Sequence, residues 1–467
     1  MFTVSRRKLL GTTMLGAGAL LGGLGAKTQA AAVTEKATIL LNSSEKIPQG
    51  LVEAINFPLL DAIQGRRSRR FAKGACIPEG PLAYSSKHKP SALSELQQML
   101  LLTSVCGNTG WTNLIPHNPH YAPKVPNYAG AAGGRTFPSA AGFHTVDFFY
   151  TDDKGVYFLS TKDMKATTAK HTDGTLDLNA YLKEHQSKIV KISDGRLKLP
   201  RSPEHMEAHN NWCANVEGST LIIPVADVAQ HIILALCYLV QNGACLYDDI
   251  NKQPIPGLSK FKDLINPENA YPISFFEQQC LTEATVELST ACYSGALTLQ
   301  AMGLGGWMFD GINPFSIFGA SGDKNVPGLG FSFDTLKDNP IPHVTGLKGI
   351  LEGHCPPFFN NMKSAVVSVV SRKFGSGGPF NAKTDGPYKD NSKVRSSAAP
   401  INEQFIDCVA TMAQYIFNEF GRFPATVPAI FSLMYLQAHH IDTDFYDQHF
   451  NQNAYLKTHA EHDSNWS

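Results

Sequence analysis

The sequence predicts an α+β fold, in which helices and strands follow one another without regular alternation. Two short β-branched and aromatic runs, at 146–150 and 155–159, flank an Asp-Asp-Lys-Gly turn and predict a pair of strands. Longer stretches with apolar residues at helical spacing lie on either side of this pair, at 91–105 and 277–302. The chain of 467 residues is 43% hydrophobic and 17% charged, which is sufficient for a large core.

The remaining elements follow from the same periodicity, and no internal repeat is found. Apolar spacing predicts further helices at 51–64, 224–242, 402–420 and 428–439. The apolar, β-branched run 365–370 predicts a buried strand. Three regions rich in polar residues or in Gly, Pro and Ser are expected to be insertions, at about 161–218, 310–345 and 375–400.

Charge and cysteine content exclude several classes of function. The 40 basic residues balance the 40 acidic residues, so no overall field attracts nucleic acid or an anionic membrane. The 9 cysteines include no C-x-x-C pair, which supports neither a zinc site nor a dithiol redox site. An odd number also leaves at least one cysteine without a disulfide partner.

The N-terminus resembles a twin-arginine signal peptide. Arg6 and Arg7 precede a weakly apolar run at 9–25, and small residues follow up to Ala32. An uncleaved membrane anchor is the alternative, but the run is shorter than the ~20 residues that a spanning helix needs. We therefore expect a signal peptide at 1–32, a polar leader at 33–50 and one domain at 51–467 with a C-terminal helical extension. We also expect a periplasmic or otherwise exported protein without stable membrane insertion after cleavage.

A basic segment follows the first predicted helix, which ends at Gly65. If this segment is extended, Arg66, Ser68 and Arg70 point to one side. Two guanidinium groups and a hydroxyl suit a phosphate monoester, because they offer charge-assisted, bidentate hydrogen bonds. A solvated basic turn is the alternative.

Two further segments are rich in small residues. The run 133–144, Gly-Gly-Arg-Thr-Phe-Pro-Ser-Ala-Ala-Gly-Phe-His, leads into the strand at 146. The run 303–306, Gly-Leu-Gly-Gly, follows the long helix, and Gly303 occupies a common C-cap position. Small residues let a flat ring approach the backbone closely, although a tight loop and a helix cap explain the same patterns.

In this order, the three segments resemble the nitroreductase family of flavoproteins, and the Arg-x-x-Pro-Ser-Ala form is closest to its azoline-oxidase branch. The resemblance covers about 50–160 and 220–310, and it implies a central, mainly antiparallel sheet flanked by helices. It also implies FMN as cofactor and a homodimer, because the flavin sites of this family lie between subunits. The implied activity is hydride transfer between FMN and a small-molecule or peptide substrate.

The resemblance also assigns cofactor-binding residues. The phosphate and ribityl chain would be held by Arg66, Arg67, Ser68 and Arg70. Arg372, just after the predicted strand 365–370, is the candidate for an additional phosphate contact. The ring would be flanked by Pro138, Ser139, Ala140 and Gly142 on one side and by Gly305 and Gly306 on the other. Many members have Asn and Gln in the Pro-Ser loop, where this chain has Gly142 and His144.

No catalytic side chain is assigned, because flavin chemistry needs no protein nucleophile. His144 is a candidate acid or base, or a structural histidine of its loop. His205 and His209 have i, i+4 spacing, as do metal ligands on a helix, but a solvated helix face is favoured. A cofactor-free scaffold and an electron-carrying flavoprotein remain alternatives to an enzyme, and no metal site is predicted.

Overall fold

The computed structural model describes residues 47–117, 129–336 and 340–467. The signal segment at 1–32 and most of the leader at 33–50 lie outside these residues. The helices are α1 Gln49–Asn56, α2 Leu59–Gly65, α3 Glu95–Cys106, α4 Leu178–Gln186, α5 Val228–Gln241, α6 Ile273–Met302, α7 Pro314–Phe318, α8 Met362–Phe374, α9 Asn391–Arg395, α10 Glu403–Phe420, α11 Thr443–His449, α12 Lys457–Ala460 and α13 His462–Asn465. The strands are β1 Cys76–Ile77, β2 Tyr84–Ser85, β3 Asn108–Trp111, β4 Gly133–Arg135, β5 Val146–Thr151, β6 Gly155–Leu159, β7 Ile189–Asp194, β8 Thr220–Asp227, β9 Cys245–Asp248, β10 Gln253–Pro254, β11 Ala270–Pro272, β12 Gly305–Phe309, β13 Ser332–Asp334, β14 His343–Leu347, β15 Leu351–Glu352, β16 Ile430–Phe431 and β17 Tyr435–His439.

The fold is α+β, as expected, and is built on one antiparallel sheet. Its strands lie in the order β12-β17-β8-β5-β6-β7, and β16 also pairs with β8. Each neighbouring pair in this order is antiparallel. The edge strand β7 and the helix α4 come from the region 161–218, while α7, β13 and part of β14 come from the region 310–345.

Both faces of the sheet are covered. Phe148 and Tyr150 of β5 pack on one face against the largest apolar cluster, which includes α3, α5, α6, α8 and α10. Phe149, between them, points to the other face and to a second cluster with Trp307 and Phe309 of β12. Because successive side chains of a strand alternate between faces, a sheet that is buried on both sides has strands that are apolar throughout. Every residue of β8 is accordingly buried.

Helix α6 is the longest helix among the described residues, with 30 residues, and it ends where the sequence predicts. Gly303 terminates it in the left-handed conformation, with φ 70°. At 1.5 Å per residue, the helix is about 45 Å long. It contacts both α1 and α2 as well as strands of the central sheet. No helix among the described residues is long and apolar enough to cross a membrane.

Two secondary-structure predictions are wrong. The run 365–370 lies within helix α8, which begins at Asn361 with a capping box. Its buried residues recur at a helical period, and they are Met362, Ala365, Val366, Val369, Val370 and Lys373. The predicted helix 428–439 instead forms β16 and β17, which pair with β8 and β12. This segment is nearly continuous in apolar residues because it is buried on both faces, and periodicity alone does not distinguish such a strand from a buried helix.

The other predicted elements are confirmed with small shifts. The helix 51–64 is divided into α1 and α2 at Pro58, which is the residue before α2. The helices predicted at 91–105, 277–302 and 402–420 correspond to α3, α6 and α10. The segment 224–242 begins as the end of β8 and becomes α5 at Val228.

Candidate functional site

The basic segment 66–70 is extended and lies beside the start of strand β12. Arg69 and Gly306 form an antiparallel bridge, with the Arg69 N–H donating to the Gly306 carbonyl at 3.2 Å and the Gly306 N–H donating back at 2.9 Å. The first and third sequence motifs are therefore in direct contact. This pairing also fixes which residues of the basic segment point inward.

Arg69, which the sequence did not single out, is the buried arginine of this segment, with 2% exposure. Its guanidinium donates to Gln300 Oε1 at 2.7 Å, to the Ala454 carbonyl at 3.0 Å and to the Gly65 carbonyl at 3.2 Å. These acceptors are all uncharged, and burial lowers the pKa of Arg69 to about 10. Arg69 therefore joins the end of α2, the end of α6 and the C-terminal segment.

The arginines proposed from the sequence as phosphate ligands are more accessible. Arg66 and Ser68 make no side-chain hydrogen bond to other described residues, and Arg67 donates only to the nearby carbonyls of Gln64 and Arg66. Arg70 lies over the Trp307 ring, 5.3 Å from its centroid, and its Nη1 is 3.4 Å from Asn210 Oδ1. Among the described residues, none of these three arginines forms an ion pair with a carboxylate. Three positive charges without local counterions suit an anionic ligand.

Gly306 is required for the close approach of backbone segments. Its φ is 147°, and a Cβ built there would lie 2.1 Å from the Gln437 carbonyl oxygen. A Cβ on Gly305 would lie 2.7 Å from Nε2 of His439 and 3.1 Å from the Arg69 carbonyl oxygen. In this chain, the small residues of the Gly-Leu-Gly-Gly run thus allow β12, β17 and the basic segment to pack together.

The Pro-Ser loop is attached to the middle of α6. The Ser139 hydroxyl donates to Glu287 Oε1 at 2.5 Å, and the backbone N–H groups of His144 and Thr145 donate to the same carboxylate at 2.9 and 2.8 Å. Glu287 is fully buried, and burial raises its pKa despite the nearby His231 and these donors. Pro138 and Ala140 remain exposed, so the loop presents small residues at the surface while Ser139 turns inward.

The His144 ring is packed within its loop, and its shielded Nδ1 has no hydrogen-bond partner among the described residues. The residue adopts a left-handed conformation, with φ 51°, and its ring packs edge-on against Phe137 at 5.4 Å. Burial, and then the charge of Arg135, lower its pKa to about 4, so the imidazole is neutral at pH 7. It therefore cannot serve as a charged acid at neutral pH.

The basic segment and the Pro-Ser loop lie apart on the same chain. The basic segment is held by Gln300 at the end of α6, and the Pro-Ser loop is held by Glu287 in the middle of the same helix. At 1.5 Å per residue, these anchor positions are about 20 Å apart along the helix axis. The two segments are therefore anchored at different levels of α6.

Arg372 is part of a different charged region. It lies on α8, and its guanidinium forms an ion pair with Asp163 at 2.8 Å. Both residues line a cavity of about 320 Å³, together with Trp111, Lys162, Lys383 and glycines at 130, 133, 377 and 378. No hydrogen bond or ion pair joins Arg372 to the described basic segment 66–70. The expectation that Arg372 follows a strand is wrong, because that strand is helix α8.

The histidines with i, i+4 spacing do not share a helix face. Residues 202–216 form turns, in which His205 Nδ1 lies 2.8 Å from the Ser316 hydroxyl and His209 pairs with Glu207 at 3.4 Å.

All nine cysteines are free thiols, and only Cys76 is exposed. Burial raises the pKa of Cys237 and Cys245 to about 11, so neither is a reactive thiolate at neutral pH.

Comparisons with known proteins provide little further information. No family model and no curated protein matches the sequence. Among solved structures, a "putative nitroreductase" of Ralstonia eutropha JMP134 is similar over 55% of this chain and 71% of that one, with a TM-score of 0.24 and 12% identity. A TM-score this low carries no argument about family or fold, so the candidate site rests on the geometry described above.

Sequence reasoning missed Arg69, Glu287 and Gln300, which hold the motifs in position. A detectable signal was the presence of isolated polar residues among the apolar residues of the long helix α6. Glu277, Glu287 and Gln300 are buried there, and each accepts hydrogen bonds from a distant segment. Buried polar groups need partners, so such positions indicate long-range anchors.

Proposed function

We propose that this chain is an exported, FMN-dependent oxidoreductase of the nitroreductase type, acting as a homodimer on a small-molecule or peptide substrate. The observation that supports this most directly is the unneutralised cluster of Arg66, Arg67 and Arg70 beside β12, held by the Arg69–Gly306 pairing. Export is proposed from the twin-arginine motif of the N-terminal segment.

The residues of the cluster fit a phosphate monoester. Arg66 and Ser68 have no competing side-chain hydrogen bonds among the described residues, and Arg70 is oriented by its contact with Trp307. A phosphate dianion would gain charge-assisted hydrogen bonds without having to displace a carboxylate. The exposed Pro138 and Ala140 would leave a flat surface for the ring. On the inner side of the loop, Glu287 accepts a hydrogen bond from Ser139 and fixes the loop conformation.

When bound, FMN would supply the redox chemistry, while this chain would supply position and electrostatics. The backbone N–H groups of the Pro-Ser loop that do not already donate to Ser139 or Glu287 are candidates to bond the ring edge. Because NAD(P)H is scarce outside the cytoplasm, we propose that electrons come from the substrate, a quinol or a partner protein. Rapid turnover of NADPH by the mature protein would contradict this part of the proposal.

Two copies would complete each site. One chain would supply the basic segment and the other the Pro-Ser loop, since the positions on α6 that anchor them are about 20 Å apart within a chain. Apolar side chains exposed along α1 and α2 support self-association, and they are Ile55, Leu59, Leu60 and Ile63, with exposures of 40, 65, 70 and 38%.

The first experiment is a visible spectrum of the purified mature protein, followed by identification of any released cofactor. Stoichiometric FMN is expected, and Arg66→Ala combined with Arg70→Ala should abolish it. The matched control is Lys188→Ala combined with Lys198→Ala, which also removes two exposed positive charges but lies outside the basic segment, and FMN content should be unchanged. Colourless protein that cannot be reconstituted with FMN would instead favour a scaffold without cofactor.

Mixing two defective variants tests the shared site. One carries Arg66→Ala and Arg70→Ala, and the other carries Gly142→Trp in the Pro-Ser loop. After subunit exchange, half of the dimers are mixed and each has one intact site, so about a quarter of all sites should recover FMN. If exchange is demonstrated and no FMN binding returns, the site lies within one chain.

A further inference from the structure

Three potential metal ligands converge where the chain after β2 meets the start of α11. Nε2 of His88 lies 3.2 Å from Asp444 Oδ2 and 3.9 Å from Asp442 Oδ1. One ligand atom from each residue lies within 4.8 Å of the other two. In a tetrahedral site with metal–ligand distances of about 2.1 Å, ligand atoms are about 3.4 Å apart. The three atoms are therefore close to a coordinating arrangement.

Asp442 is only partly satisfied by the protein. Its side chain is fully buried, and its Oδ1 accepts a long N-cap hydrogen bond of 3.4 Å from the Phe445 N–H. Its Oδ2 is shielded from solvent and has no hydrogen-bond partner among the described residues. A buried carboxylate oxygen without a donor is costly, and it indicates a missing positive partner.

Among the described residues, His88 is the one group that can pair with Asp442 as a cation, and it faces Oδ1 and not the unpartnered Oδ2. Among the described residues, no lysine or arginine forms an ion pair with Asp442 or Asp444. The Tyr84 hydroxyl is also shielded and without a hydrogen-bond partner. The Tyr84 ring packs on α11, with its centroid 5.6 Å from that of Phe445 and 5.9 Å from that of His449.

Packed aromatic rings form the inner wall of the cluster. Phe71 stacks on Phe445 at 4.0 Å, and Tyr84 meets Phe71 edge-on at 5.5 Å. This wall is apolar, so it strengthens electrostatic interactions beside it. One imidazole with two carboxylates is a donor set suited to zinc.

We propose that His88, Asp442 and Asp444 bind a zinc ion, which joins the C-terminal segment to the chain after the β1–β2 hairpin. The ion would supply a positive charge beside the buried carboxylate of Asp442, whose Oδ2 has no partner among the described residues. This proposal is independent of the flavin, since none of these residues belongs to the candidate FMN site.

A second histidine cluster is a weaker candidate. His440 and His462 lie next to Asp463, but Lys73 already pairs with both oxygens of that carboxylate, at 2.7 and 2.6 Å. Its charge is therefore neutralised within the protein. Zinc binding at His440 and His462 is therefore the competing outcome that the test must distinguish.

The test is zinc titration of the full mature protein by isothermal calorimetry, after treatment with a chelator. The natural sequence should bind one equivalent, and Asp442→Asn and His88→Gln should each weaken binding by at least about 10-fold. Asparagine is a good N-cap, so Asp442→Asn should retain the fold. The matched control is Asp447→Asn on the same helix, whose carboxylate accepts from Tyr455 instead, and zinc affinity should be unchanged.

Thermal unfolding gives a second readout. Zinc should raise the Tm of the natural sequence and of Asp447→Asn, but not that of Asp442→Asn. The proposal is overturned if the natural sequence binds no zinc at micromolar concentrations, or if Asp442→Asn and His88→Gln bind as tightly as it does. It is also overturned if His440→Gln abolishes binding while Asp442→Asn does not.

Discussion

The Ser139 hydroxyl donates a hydrogen bond of 2.5 Å to the buried carboxylate of Glu287. The same carboxylate also accepts from two backbone N–H groups, those of His144 and Thr145. One side chain in the middle of α6 therefore fixes the conformation of a loop some 140 residues earlier in the chain. The candidate ring-binding loop depends on this contact for its shape.

Glu287→Gln should destabilise the protein by about 1–3 kcal/mol, because an amide replaces one acceptor oxygen with a donor that faces N–H groups. The measurement is chemical unfolding in guanidinium chloride. Glu283→Gln is the matched control one turn away on α6, where only a partly exposed contact with His231 at 3.0 Å is lost. Equal stability of the two variants would show that the loop does not depend on Glu287.

Arg69→Ala should cost at least about 2 kcal/mol of stability, because the buried Gln300 and two part-buried carbonyls lose a charged donor. Arg67→Ala should change stability by less than about 0.5 kcal/mol, since Arg67 is exposed. The measurement is the Tm of both variants, which should be much lower for Arg69→Ala than for Arg67→Ala. A fully stable Arg69→Ala variant would contradict the Arg69 network.

Gly306→Ala should destabilise by about 3 kcal/mol or more, because the added Cβ would meet the Gln437 carbonyl oxygen at 2.1 Å and φ is 147°. Gly174→Ala is the control, because that glycine has φ 82° and open space around it. The control should lose only about 1 kcal/mol of stability, which is the cost of placing alanine in a left-handed backbone conformation. Similar unfolding midpoints for the two would argue against tight packing of β12 on β17.

Stability should fall as the pH is lowered from about 6.5 to about 4. Burial is the main cause that lowers the pKa of His144, His343 and His440 to about 4 and that of His439 and His459 to about 3. In this window the unfolded chain binds more protons than the folded chain, so acidification favours unfolding. The raised pKa values of Glu277 and Glu287 oppose this trend in part.

The measurement is Tm against pH for the natural sequence and for His144→Asn, since asparagine tolerates the left-handed conformation at this position. The variant should lose less stability between pH 6.5 and 4. If the two profiles are parallel, His144 protonates equally in the folded and unfolded states.

Local sequence signals predicted the parts of this protein that depend on neighbouring residues. The capped α6, the β5–β6 pair and the accessible Arg66 follow from periodicity, turn residues and charge. These features involve interactions over a few residues, which the sequence displays directly.

Only the tertiary structure decided the rest. Segments 365–370 and 428–439 exchanged helix and strand relative to expectation. The first is too short to show the helical period that the whole of α8 has, and the second is apolar on both faces because it is buried on both. The anchoring of Ser139 by Glu287 and of Arg69 by Gln300 joins residues 148 and 231 positions apart. A buried polar residue reveals in the sequence that it needs a partner, but only folding determines which partner it finds, since that choice is made by packing between distant segments.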